Sequence, residues 1–264
     1  MTPASAGERW ATQLTEWAIP DDIMAQAPES PWTFTRSVFA APADFGPDTA
    51  SRTAAREALP DGGHVLDVGC GGGAAGLALV PPAGRVTGFD QSADLLDAFS
   101  SRAAELGVAH RAVQGSWPDD AAASVPAADV VVCHHVAYNV PGLAAFATAL
   151  TAHARHRVVM ELTDRHPRAG LNGVWRHFWG TERPAGPTAD DAIAVLAEAG
   201  IRPEVLRSSR TAWRETDASR VASVRRYLCL PAERDPEIEA FLAAEPSPPP
   251  REAVTLWWPG TASG

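Results

Sequence analysis

The sequence predicts an α/β fold, a doubly wound and mostly parallel sheet with helices on both faces. Three observations lead there. Short β-branched runs alternate with stretches of helical periodicity over residues 64–199, and strands that alternate with helices pair in parallel with both faces covered. The first run, His64-Val-Leu-Asp-Val68, passes directly into Gly69-Cys-Gly-Gly-Gly-Ala-Ala-Gly76, a turn whose missing side chains let backbone N–H groups approach a bound molecule. The second run, Arg85-Val-Thr-Gly-Phe-Asp90, lies one βαβ crossover further on and ends in an acid.

Ahead of the sheet, residues 6–18 carry Trp10, Leu14 and Trp17 at helical spacing and stop before Pro20. Residues 21–27 suggest a further turn, residues 31–34 and 39–45 break the pattern, and 49–59 resume it. Such pieces cannot form a core of their own, so residues 1–60 are expected to cap the cleft of a core spanning 61–264. In that core, strands are expected near 64–68, 85–89, 109–114, 129–133 and 156–162, and helices near 73–80, 92–107, 141–154 and 188–199. Residues 203–210 read as a sixth strand. Val221, Val224 and Leu228 begin a helical insertion over 217–243, after which the prolines of 247–251 make a stiff return. Val254-Thr-Leu-Trp-Trp258 is the better seventh strand, being β-branched and aromatic, with 224–230 as the alternative.

Asp67 narrows what the glycine turn receives. A carboxylate there repels a pyrophosphate and accepts hydrogen bonds from an ammonium group. Leu66, Asp67, Gly69, Gly71 and Gly73 match without a gap the first motif of the class I, Rossmann-like methyltransferases, which this chain resembles there and through the later strands. The resemblance implies a three-layer, seven-stranded sheet whose last strand runs antiparallel. It also implies methyl transfer from S-adenosyl-L-methionine to a small-molecule acceptor, with S-adenosyl-L-homocysteine as the product. Asp67 would then hold the methionine amino group, with Gly69, Cys70, Gly71 and Gly73 under the methionine and ribose. Asp90 and Gln91 would meet the ribose, Ser116 and Trp117 the adenine, and His134 the methionine part.

The acceptor side starts from His134-His135-Val-Ala-Tyr-Asn139, which follows the fourth strand where open parallel sheets build their sites. His135 and His177 are candidate bases if the acceptor is a hydroxyl or an acidic carbon, whereas a neutral amine or a thiolate needs none. Tyr138, His166, Trp175 and Trp179 are candidate acceptor contacts, and aromatics at such spacing serve equally as core. No metal is expected, because no carboxylate, His or Cys cluster has ligand spacing.

The chain of 264 residues, 45% hydrophobic, is long enough for one sizeable core. A net charge of −10, with arginine as the sole basic residue type beside histidine, disfavours a phosphate-rich polymer, so no nucleic-acid partner is expected. Three scattered cysteines imply no disulfide, and with neither a basic, apolar leader nor a spanning run the expected place is the cytoplasm, away from membranes. Two other functions fit some of these features. Gly69-x-Gly71-x-x-Ala74 also suits a nicotinamide-dependent oxidoreductase, against which Asp67 counts, and a non-catalytic cofactor-binding regulator would share the fold without turnover.

Overall fold

β-Branched and aliphatic side chains on the predicted strands point alternately to two sides, and in the central strands both sides are buried. In a computed structural model that describes residues 3–31, 41–120, 125–209, 217–244 and 251–263, these strands form one seven-stranded sheet. They are β1 (His64–Val68), β2 (Arg85–Asp90), β3 (Ala109–Gln114), β4 (Ala128–His134), β5 (Ala154–Thr163), β6 (Glu204–Ser209) and β7 (Glu252–Pro259), in the order β3-β2-β1-β4-β5-β7-β6. The pairs from β3 across to β5 are parallel, and β7 lies antiparallel to both β5 and β6. The late strand is therefore the seventh. Residues 224–227 of the alternative 224–230 belong to a helix, Asp217–Tyr227.

The helices are α1 (Ala6–Thr15), α2 (Asp21–Met24), α3 (Ala50–Ala58), α4 (Ala93–Glu105), α5 (Leu143–His153), α6 (Asn172–Trp179), α7 (Ala189–Glu198), α8 (Asp217–Tyr227) and α9 (Asp235–Ala244). One face of the sheet packs Leu66, Val131 and Met160 against Trp10 of α1, Phe146 of α5 and Val195 of α7. The other packs Val65, Val132 and Val159 against Ala54 of α3 and Phe99 of α4. A third, smaller core of Ile23, Trp175, Val224, Leu228 and Ile238 joins α2, α6, α8 and α9. Among the described residues no helix is long and apolar enough to cross a membrane.

One expected helix is missing. Residues 73–80 form turns and a three-residue 3-10 helix, Leu77–Leu79. Gly71 and Gly73 hold left-handed backbone at φ 52° and 92°, and Pro81 forces Val80 out of helical geometry, so only one turn fits between them. The expected break over 31–34 and 39–45, apart from Pro31 and residues 41–45, and the return over 247–250 lie outside the described residues.

The N-terminal helix is tied to the sheet layers. Ser5 and Glu8 form a capping box on α1, and Glu198 at the end of α7 accepts from the Ala6 N–H at 2.8 Å, placing a carboxylate on the positive end of α1. Trp10 is fully buried, stacks on Tyr138 and donates its indole N–H to the Val140 carbonyl at 2.8 Å. Trp10→Ala is expected to lower the unfolding free energy by about 3–5 kcal/mol, with Trp10→Phe in between. Denaturant midpoints check this, and a loss typical of an exposed residue would mean that α1 does not dock.

Candidate functional site at the strand tips

The carboxyl ends of β1, β2, β4 and β5 meet at one edge of the sheet, and the glycine turn folds over it. Gly69 and Cys70 both donate their N–H groups to the Phe89 carbonyl, at 2.8 and 3.2 Å. At Gly69, with φ 69°, an added Cβ would come 2.3 Å from Val136 Cγ2. Gly73 would meet Leu77 and Phe99 in the same way. These glycines are required by packing as well as by backbone conformation.

Two carboxylates support the turn. Asp90 accepts from the Gly71 N–H through Oδ2 and from the Ser92 N–H through Oδ1, each at 2.9 Å. Ser92 caps α4, which leaves Asp90 at the tip of β2 facing the turn. Asp67 is buried beneath the turn and accepts from the Gly76 N–H through Oδ2 at 2.7 Å, while its Oδ1 is buried with no partner. Burial, with Asp90 nearby, pushes the Asp67 carboxyl up to about 7 against the opposing hydrogen bond from Gly76. An acid in this state is poised to ionise when a cation arrives. Burial also raises the neighbouring Cys70 thiol, helped by both carboxylates, so Cys70 stays a neutral thiol.

Gln91 and Ser116 lie together on the rim, with Gln91 Nε2 3.5 Å from Ser116 Oγ. Trp117 turns inward: its indole N–H donates to the Phe146 carbonyl and its ring packs edge-on against Phe89 and His153.

On the β4–β5 side, His134 pairs in register with Glu161, and the next residue, His135, sits at φ 60°. That left-handed geometry costs a β-carbon-bearing residue about 1–2 kcal/mol. It is held by two bonds to Glu161, from the His135 N–H to the carbonyl at 2.7 Å and between Nε2 and Oε1 at 3.1 Å. The other carboxylate oxygen of Glu161 accepts from Ser51 Oγ of α3 at 2.6 Å, and Ser51 Oγ lies 2.9 Å from Thr49 Oγ1. Burial would raise the Glu161 carboxyl. The hydrogen bond from His135, the two imidazoles and the Ser51 hydroxyl outweigh burial and hold it well below the usual carboxylate range. Glu161 and Ser51 are absent from the sequence-based candidates. The available signal was an acid between Met160 and Leu162, interrupting the apolar stretch that starts at Val158.

The remaining candidates fall elsewhere, and four need correcting. Tyr138 is buried with its hydroxyl donated to the Thr163 carbonyl at 2.7 Å, so it has no donor left for an acceptor. Trp175 is fully buried in the third core, and Trp179 is tied to the Leu228 carbonyl through its indole N–H, so both hold that third core together. His177 lies half-exposed on α6 against Phe241 and Glu237 of α9, with which it pairs. His166 stacks on Trp17 at 3.9 Å, and burial, with Arg168, Arg183 and Arg251 nearby, lowers it to about 3. It is therefore a neutral ring at working pH, packed between Trp17 and Tyr138 and ill suited to serve as a base.

Comparison with known proteins finds methyltransferases in sequence and in fold. Residues 65–156 match the family model of a methyltransferase domain. The chain is 32% identical over 115 residues to the ubiquinone biosynthesis O-methyltransferase of Sodalis glossinidius, a match that takes in 43% of this chain and 46% of that one. The chain thus spans less than half the length of this curated relative. In fold it is similar to a methyltransferase of Geobacter sulfurreducens solved with S-adenosyl-L-homocysteine, at TM-score 0.54 and 21% identity, covering 92% of this chain and 99% of that one. The YcgJ protein of Bacillus subtilis matches at TM-score 0.51 and 17% identity, covering 81% and 99%.

Because the Glu161 carboxyl lies lower in the folded protein than in the unfolded chain, its stabilising contribution is complete above the unfolded carboxylate value of about 4.3 and is lost as the pH falls below it. Denaturant unfolding of the wild type and of Glu161→Gln is expected to show the widest gap near neutral pH. The gap should narrow steadily toward pH 3.

Proposed function

We propose that this chain is an S-adenosyl-L-methionine-dependent methyltransferase acting on a small-molecule acceptor. The observation that carries the reading is the Asp67 carboxylate, with one oxygen buried and unpartnered under a glycine turn. A buried anion of this kind is costly until a cation or donor reaches it, and the amino group of S-adenosyl-L-methionine is such a cation. The same features disfavour a nicotinamide dinucleotide. Its pyrophosphate would meet Asp67, and the 3-10 turn after the glycines offers no α-helix N-terminus for phosphate to sit on.

The residues present fit the cofactor. Asp67 would accept from the amino group, and Asp90 retains lone pairs for ribose hydroxyls beside the two N–H groups it already holds. Gly69, Gly71 and Gly73 keep side chains out of the turn, and Cys70 packs beneath it. Gln91 and Ser116 form a polar rim suited to the adenine edge, with the partly buried Trp117 behind them. His134, at the end of β4, would meet the methionine part. When bound, the cofactor supplies a methyl group already activated by its sulfonium, so the chain's main task is to hold the acceptor in line and exclude water. Residues 1–60 and the 217–243 insertion would cap the cleft. The acidic chain argues against a nucleic-acid acceptor, and three buried free thiols suit the cytoplasm.

Three results are expected. S-adenosyl-L-methionine and its demethylated product raise the melting temperature of the protein, and NAD does not. Asp90→Ala weakens S-adenosyl-L-homocysteine binding by about 1.5–3 kcal/mol, and unchanged affinity in a folded variant would remove Asp90 from the site. Binding at about pH 6 releases close to one proton, because Asp67 is mostly protonated there and must ionise to hold a cation. The release shrinks as the pH rises past 7 and disappears in Asp67→Asn. Calorimetry in buffers of different ionisation enthalpy measures it.

A further inference from the structure

We infer that Glu161, backed by Ser51, positions His135 as a general base, so that the acceptor is one that must give up a proton, a hydroxyl group or an acidic carbon. The inference rests on the methyl-transfer reading above and adds to it the class of acceptor. His135 occupies a left-handed position that glycine would adopt more readily, immediately beyond a strand end that meets the proposed cofactor site. Glu161 grips it twice, through its carbonyl at 2.7 Å and through Oε1 at 3.1 Å. The ring is thereby fixed with a third of its side-chain surface exposed, 34%, whereas Glu161 is nearly buried at 12%.

Tautomer follows from these contacts. An ionised Glu161 can only accept, so in the neutral ring His135 Nε2 carries the hydrogen and Nδ1 carries the lone pair. No described residue hydrogen-bonds to Nδ1. Ser51 Oγ, with Thr49 Oγ1 beside it, occupies the second oxygen of Glu161, which keeps the carboxylate from rotating away. Because Ser51 belongs to α3 and Glu161 to β5, the arrangement is assembled from three separate segments around one imidazole.

In the step this supports with a hydroxyl acceptor, the hydroxyl gives its proton to His135 Nδ1 as the oxygen–carbon bond forms. The methyl–sulfur bond breaks, and its electron pair stays on sulfur, which becomes a neutral thioether. Glu161 stabilises the resulting imidazolium, and the proton then passes to solvent. A neutral amine or a thiolate would need no base. A histidine oriented in this way is useful to an acceptor that must lose a proton.

The alternative is that Ser51 and Glu161 merely tie α3 to the sheet. Nitrogen-15 spectra of histidine-labelled protein, with S-adenosyl-L-homocysteine bound, separate the two without needing turnover. Wild type is expected to show His135, assigned with His135→Asn, as the Nε2–H tautomer, and Glu161→Gln and Ser51→Ala to shift that balance while still binding the product. With a phenol or alcohol acceptor found by screening, His135→Ala should lower kcat about 10²–10⁴-fold with KM little changed. Glu161→Gln should lower it by a smaller factor, and Glu161→Asp should recover part. An Nδ1–H tautomer in wild type, or a tautomer balance that neither Glu161→Gln nor Ser51→Ala alters, overturns the inference. So does an acceptor turned over equally by His135→Ala. Failure of the wild type to bind S-adenosyl-L-homocysteine would instead overturn the methyl-transfer reading, whatever the tautomer.

Discussion

The parallel pairing of β1, β4 and β5 is the constraint on which the site depends. Asp67 lies opposite Val132 and His134 opposite Glu161, so the register brings the ends of these strands to the same edge. The strands are buried on both faces, and any charged group in them must find partners or pay for desolvation. The two carboxylates meet this demand differently. Glu161 has both oxygens occupied, by His135 and Ser51, and is held ionised. Asp67 has one oxygen occupied and one bare, and is held near neutrality of charge. A saturated anion orients its neighbours, and a half-satisfied one can receive a ligand.

The tryptophans explain why the aromatic segments serve packing. Trp10, Trp17, Trp117 and Trp179 each donate an indole N–H to a main-chain carbonyl, of Val140, Gly186, Phe146 and Leu228 respectively. A side chain that covers a large apolar area and also satisfies a carbonyl is well suited to joining segments that share no sheet or helix ladder. Arg183 acts in the same sense. Its guanidinium lies over the rings of Trp17 and Trp175 and donates to the Trp17 and Ala18 carbonyls, linking the N-terminal segment to the third core.

The strand pattern was legible because β-branched runs at buried positions leave few alternatives, and even the late seventh strand could be told from 224–230 by its Val-Thr-Leu-Trp-Trp content. The helix expected at 73–80 failed because periodicity ignores what glycines and a following proline do to the backbone. On the cofactor side the carboxylates at strand tips were visible, since a motif of adjacent residues carries its own geometry. Tyr138, His177, Trp175 and Trp179 could not be placed, because which face of a segment turns toward a cleft depends on the neighbour it packs against. Glu161 and Ser51 are far apart in sequence, and only the tertiary fold brings them to His135.

The docking of α1 has a consequence for synthesis. Trp10 and Trp17 emerge well before their partners Tyr138, Val140, His166, Arg183 and Gly186, and before the Glu198 that receives the start of α1. At about 5–20 residues per second the wait is on the order of ten seconds. Through that interval two large indoles stand uncovered on a nascent chain, so the yield of folded protein depends on what shields them at the ribosome.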